Sequence, residues 1–210
     1  MHYIENIYVC ITAPLLIAVF CTRGKGRLNL LFLLGGMTVC LLSSYITTFI
    51  AAAQGADATA ASLEIAPLTE EVMKFLPVLF YILVLEPRQE AVPDAMLLTS
   101  VGFATFENVC YLTTNGASNI LFLVIRGFGT GAMHVACGIL VAAGLYHLWD
   151  RLWLRKAGTI GFVALAATLH GIYNILVSQN GIAAYIGYII PLMVVAFVLV
   201  FGKINRGKSI

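Results

Sequence analysis

Seven stretches of this chain are apolar for long enough to cross a bilayer, which takes about 20 residues of helix. They run over 3–21, 28–53, 64–85, 94–113, 120–148, 158–178 and 183–202. Short polar connections separate them: "TRGKGR", "QGADATAAS", "EPRQEAVP", "TTNGAS", "DRLWLRKAG" and "SQNGIA". The apolar stretches are too long for core strands, and the pattern predicts an all-α, polytopic transmembrane helix bundle of about seven spans. Residues 1–210 read as a single integral-membrane domain.

Composition agrees with that reading. The chain is 60% hydrophobic and 10% charged, where soluble domains carry about 25% charged residues. The placement of the 12 Lys and Arg residues is more informative than the net charge of +2. Arg23, Lys25 and Arg27 fall in the first connection and Arg88 in the third. Arg151, Arg155 and Lys156 fall in the fifth, and Lys203, Arg206 and Lys208 in the tail. The second, fourth and sixth connections have none. Cytoplasmic loops hold the excess of Lys and Arg, so the N-terminus is expected outside and the C-terminus in the cytoplasm. The opening "MHYIENIY" lacks a basic region ahead of its apolar run, which argues for a retained first span. The five cysteines lie scattered in apolar stretches without metal or disulfide spacing.

Two positive residues, Lys74 and Arg126, lie inside spans, and several acids and histidines join them there. Glu70, Glu71 and Lys74 are in the third span, Glu107 in the fourth, His134 in the fifth, and His170 with Asn174 in the sixth. Ionisable groups in a membrane are costly and mark functional sites. At 1.5 Å rise per residue, Glu70 and Glu107 lie about 9 and 10 Å from the outer ends of their spans, and Asn174 and His170 about 6 and 12 Å. His134 sits deeper, about 22 Å from Asn119, and needs a tilted or later-starting fifth helix to come level. Glu70 and Lys74 stand four apart and share a helix face, as do His170 and Asn174. Gly127, Thr130, Gly131 and Gly138 share the face of His134, so a neighbouring helix can come close.

Each residue has a plainer reading. Glu70 with Lys74 can be a packing ion pair, and Arg126 a structural partner of Glu107. A lone buried histidine more often bonds a neighbouring helix than performs chemistry, and Asn108 can do the same. The combination of three acids and two histidines sets the cluster apart. Carboxylate and imidazole together can activate water and stabilise an oxyanion.

Four segments carry a resemblance: "EEVMK" (Glu70 to Lys74), "GFATFEN" (Gly102 to Asn108), "RGFGTGAMHVACG" (Arg126 to Gly138) and "HGIYN" (His170 to Asn174). In order and on successive helices, they resemble the motifs of the PrsW intramembrane proteases, relatives of the CAAX-prenyl endopeptidases. The resemblance implies Glu70 or Glu71 as general base, with Glu107, His134, His170 and Asn174 completing the site. Lys74, Arg126, Asn108 and Phe103 fall within the same motifs and are expected to support it. Glu107 stands where the CAAX-prenyl branch has a histidine, which favours the branch that cleaves anti-sigma factors.

The residues themselves leave alternatives. No "GxSxG" or "HExxH" occurs, so a metal-free glutamate mechanism ranks first and no cofactor is expected. Glu107, His134 and His170 make a two-histidine, one-carboxylate set for a metal-dependent mechanism. A cavity of buried acids and histidines also suits a small proton- or cation-coupled transporter, although no inverted repeat is found. The expected partners are the bilayer of a bacterial cell membrane and a single-span substrate such as an anti-sigma factor, with no nucleic acid.

Overall fold

The computed structural model describes residues 3–116, 119–148 and 152–206. Every long element is a helix: α1 (Ile4–Cys21), α2 (Gly24–Gln54), α4 (Ala66–Val84), α5 (Val92–Asn115), α6 (Ile120–His147), α7 (Leu152–Ser178) and α8 (Ile182–Arg206). A short α3 (Ala58–Ala60) and a π-helical turn (Ala61–Ile65) lead directly into α4. Six of these helices, α1, α2, α5, α6, α7 and α8, are long and apolar enough to span a membrane. The third expected span, α4, carries Glu70, Glu71 and Lys74 within its 19 residues, which lowers its apolar character without shortening it.

Helices extend past the apolar stretches into what were expected connections. α2 takes in Lys25 and Arg27, and α7 begins at Leu152 inside the fifth connection. A helix need not stop where hydrocarbon ends, because its backbone bonds persist in the interfacial zone. In the second connection, Gly55 closes α2 in the left-handed conformation, with φ 67°. Asp57 then caps the next turn by accepting from the Ala60 N–H at 2.8 Å. Of the basic residues that set the expected orientation, Arg151 and Lys208 lie outside the described residues.

α5 runs through the middle of the bundle, against α2 on one side and α6 on the other. Gly36 of α2 and Gly102 of α5 allow the closest crossing: a Cβ on either would run into the Thr99 or Leu33 carbonyl of the opposite helix. Small residues are the usual means of helix approach in lipid, where van der Waals packing replaces the hydrophobic drive. Gly138 of α6 meets Ser100 of α5 in the same way, while Gly131 has open space beside it. Below the site, Val78, Val92, Met96 and Val141 form one buried core, and Phe103 and Phe106 anchor a second against α2. α7 packs on both α4 and α6, which closes a ring of four helices around the polar cluster.

Candidate active site

α4, α5, α6 and α7 each send polar side chains into the same interior space. The helical run that carries the paired glutamates starts at Ala58 rather than 64. Glu70 therefore lies about 18 Å along it instead of about 9 Å, and it comes close to His134 and His170. The early start depends on the π turn, which exposes backbone carbonyls that a regular helix would satisfy. Asn174 of α7 donates its side-chain N–H to one of them, Ser62 O, at 3.0 Å.

The two neighbouring glutamates have different surroundings. Lys74 Nζ lies 2.6 Å from Glu71 Oε1, and both side chains are fully buried. The expected Glu70–Lys74 pair is thus replaced by a Glu71–Lys74 pair, three residues apart. Both spacings bring side chains onto one helix face, and the packing of α7 and α6 selects between them. Glu71 Oε1 also accepts from His170 Nδ1 at 2.8 Å. Glu70 instead lines a cavity of about 340 Å3, its Oε2 facing His170 Nε2 at 3.7 Å and finding no hydrogen-bond partner among the described residues.

A second chain of contacts reaches the cluster from α5 and α6. Lys74 Nζ lies 3.0 Å from His134 Nδ1. An ammonium can only donate, so Nδ1 accepts and the ring proton sits on Nε2. That nitrogen contacts Glu107 Oε2. Glu107 Oε1 lies 3.4 Å from Arg126 Nη2, so the expected Arg126–Glu107 pair is present. Arg126 also donates to Asn108 Oδ1 at 2.6 Å and stacks on the Tyr111 ring, 3.5 Å from its centroid. Asn108 donates onward to the Gly127 carbonyl at 3.3 Å, bonding across helices as its plainer reading held. Phe103 forms the apolar floor, 4.9 Å from the His134 ring and 5.3 Å from Lys74 Nζ.

All the residues singled out in the sequence therefore meet around one space. Thr130, expected on the face of His134, joins them, as do Tyr173 and Tyr188, which were not singled out. Tyr173 and Thr130 line the cavity with their hydroxyls 2.7 Å apart, and Tyr188 of α8 packs on the Tyr173 ring. A signal for Tyr173 existed, because it follows His170 by three residues as Thr130 precedes His134 by four.

Residues 25–201 match the family described as PrsW family intramembrane metalloprotease. The chain belongs to the PrsW family. It is also 29% identical over 114 residues to a Protease PrsW of Oceanobacillus iheyensis, a match covering 52% of this chain and 49% of that protein. The chain thus spans about half the length of the curated relative it matches. No solved structure matches it.

The PrsW family's description raises the question of a metal. The set brought together is Glu70, His134 and His170, each with a ligand atom within 4.8 Å of the others; the sequence had suggested Glu107 in place of Glu70. Glu70 Oε2 and His170 Nε2 offer open lone pairs. His134 does not, since Lys74 occupies Nδ1 and Glu107 occupies Nε2. An ammonium at 3.0 Å also opposes a divalent ion on the same ring. As arranged, the three residues do not fit a three-ligand metal centre, which needs every donor atom open.

Proposed function

We propose that this chain is an intramembrane endopeptidase in which Glu70 activates water. One observation carries the reading: Glu70 Oε2 and His170 Nε2 face each other at 3.7 Å on the cavity wall, and Glu71 holds the imidazole by its other nitrogen. Two acceptors at that separation can both receive hydrogen bonds from one water, which leaves its lone pairs turned to the cavity. Glu70 takes the proton as the water oxygen attacks a peptide carbonyl, and returns it to the leaving amine. Glu71, neutralised by Lys74, orients His170, while Arg126 and Glu107 hold His134.

The cavity is reached from the face bearing the α2–α4, α5–α6 and α7–α8 connections, which lack Lys and Arg. By the positive-inside rule that face is external. The scissile bond then lies at the outer end of a substrate span. It must be unwound there, because an intact helix keeps its carbonyls in backbone hydrogen bonds. We propose a single-span membrane protein as substrate, an anti-sigma factor by the family resemblance, with this cut as the first of two.

The test is purification in detergent with a single-span anti-sigma factor, wild type beside Glu70→Gln, with product masses read by mass spectrometry. Wild type should cut in the outer part of the span and Glu70→Gln should not. Near-normal turnover by Glu70→Gln, or cuts confined to the cytoplasmic half, would refute the reading. The family description supports one second reading, a metal-dependent peptidase.

A further inference from the structure

We propose that Tyr173 is the hydrogen-bond donor to the tetrahedral oxyanion and that Thr130 positions its phenol; this rests on the peptidase reading above. Tyr173 Oη and Thr130 Oγ1 lie 2.7 Å apart, both residues are buried, and both line the cavity that holds Glu70 and His170.

The hydrogen count leaves a donor over. Two hydroxyls bonded to each other carry two hydrogens and use one, so one O–H faces elsewhere. Thr12, Thr38, Thr99 and Thr105 each turn their hydroxyl onto the carbonyl four residues back, at 2.8 Å. Thr130 turns to Tyr173 instead. The phenol is the more acidic hydroxyl, so a negative oxygen recruits the Tyr173 O–H and Thr130 rotates its own onto Tyr173 Oη.

The position also fits. Tyr173 lies three residues beyond His170 on α7 and Thr130 four before His134 on the antiparallel α6. Both are therefore displaced toward the same face, by about 4.5 and 6 Å along their helices. An attacking oxygen near Glu70 lies a little over 2 Å from the oxyanion it creates, and a donor stands about 2.7–3.1 Å beyond that. A donor offset by about one helical turn from the histidines is within side-chain reach of an oxyanion formed beside them.

The charged donors near the cavity are directed elsewhere, and Asn174 has one of its two amide hydrogens committed. Asn174 donates to the Ser62 carbonyl, Arg126 faces Asn108, Glu107 and Tyr111, and Lys74 is enclosed by Glu71 and His134. Tyr188 holds the Tyr173 ring edge-on at 6.1 Å between centroids, and Gly129 makes room for it, since a Cβ there would meet the Tyr188 ring. During reaction the water oxygen bonds to the carbonyl carbon and its proton passes to Glu70. The carbonyl π pair moves to oxygen, which accepts the Tyr173 O–H hydrogen bond without proton transfer. The carbonyl re-forms as the C–N bond breaks, and the Glu70 proton goes to the leaving nitrogen.

The probe is a synthetic single-span peptide with a Gly-Pro break at its outer end, flanked by fluorophore and quencher. Tyr173→Phe should lower kcat about 100-fold with KM within about twofold of wild type. Thr130→Val should show a smaller loss of kcat, and Thr130→Ser should restore it. A peptide phosphinate, whose tetrahedral oxygens mimic the intermediate, should bind Tyr173→Phe more weakly by a similar factor. Wild-type kcat in Tyr173→Phe, with Glu70→Gln inactive, overturns this assignment alone. Cleavage by Glu70→Gln, or none by wild type, overturns the peptidase reading as well. Should Tyr173→Phe fail to fold, 3-fluorotyrosine in place of Tyr173 keeps the shape and strengthens the donor. It must then tighten phosphinate binding, and unchanged binding overturns the assignment.

Discussion

Glu71 lies 2.6 Å from Lys74, with neither side chain exposed, while its sequence neighbour Glu70 borders the cavity. Removing one member of a buried pair leaves the other charge uncompensated and costs on the order of 3–5 kcal/mol. Glu71→Gln should therefore lower the melting temperature in detergent as well as activity. Glu70→Gln should abolish turnover with melting near wild type. Thermal melts of both variants beside a cleavage assay check this, and equal destabilisation by the two would remove the distinction between them.

Arg126 joins three partners through its planar guanidinium. The guanidinium stacks on Tyr111 while its nitrogens reach Asn108 and Glu107. Lysine keeps the charge but cannot stack and fork in this way. Arg126→Lys should lower kcat about tenfold through a misplaced Glu107, with little change in melting. Steady-state kinetics of Arg126→Lys and Asn108→Ala decide the matter, and unchanged kcat in both would leave Arg126 a packing residue.

Metal removal tests whether His134 is closed to a metal ion. With both nitrogens of His134 engaged, activity should survive exhaustive chelation, and the purified protein should carry no stoichiometric zinc. Elemental analysis and a chelated assay provide the measurement. Activity lost on chelation and regained only with a divalent ion would establish the metal-dependent reading.

Orientation rests on loop charge alone and has its own test. On a background with the five cysteines replaced, Thr59→Cys should react with an impermeant maleimide in intact cells. Ala157→Cys should react only after permeabilisation. The opposite labelling would turn the cavity toward the cytoplasm.

The helical, membrane-spanning class and the residues that gather at the site were legible in the sequence. Hydrocarbon demands long apolar helices, and an ionisable residue inside one is conspicuous because it is costly. Hence Glu70, Glu71, Lys74, Glu107, Arg126, His134 and His170 stood out one helix at a time. Which acid meets which base was not legible. Lys74 can reach either glutamate along α4, and only the approach of His170 from α7 and His134 from α6 assigns it to Glu71 and leaves Glu70 on the cavity wall. The early start of the helical run before Glu70 was likewise out of reach, because it includes a π turn whose carbonyl at Ser62 accepts from Asn174, distant in the chain. Apolar character is a property of a segment and can be read locally. Hydrogen-bond partnership between helices depends on their relative rotation and depth, and packing alone sets those.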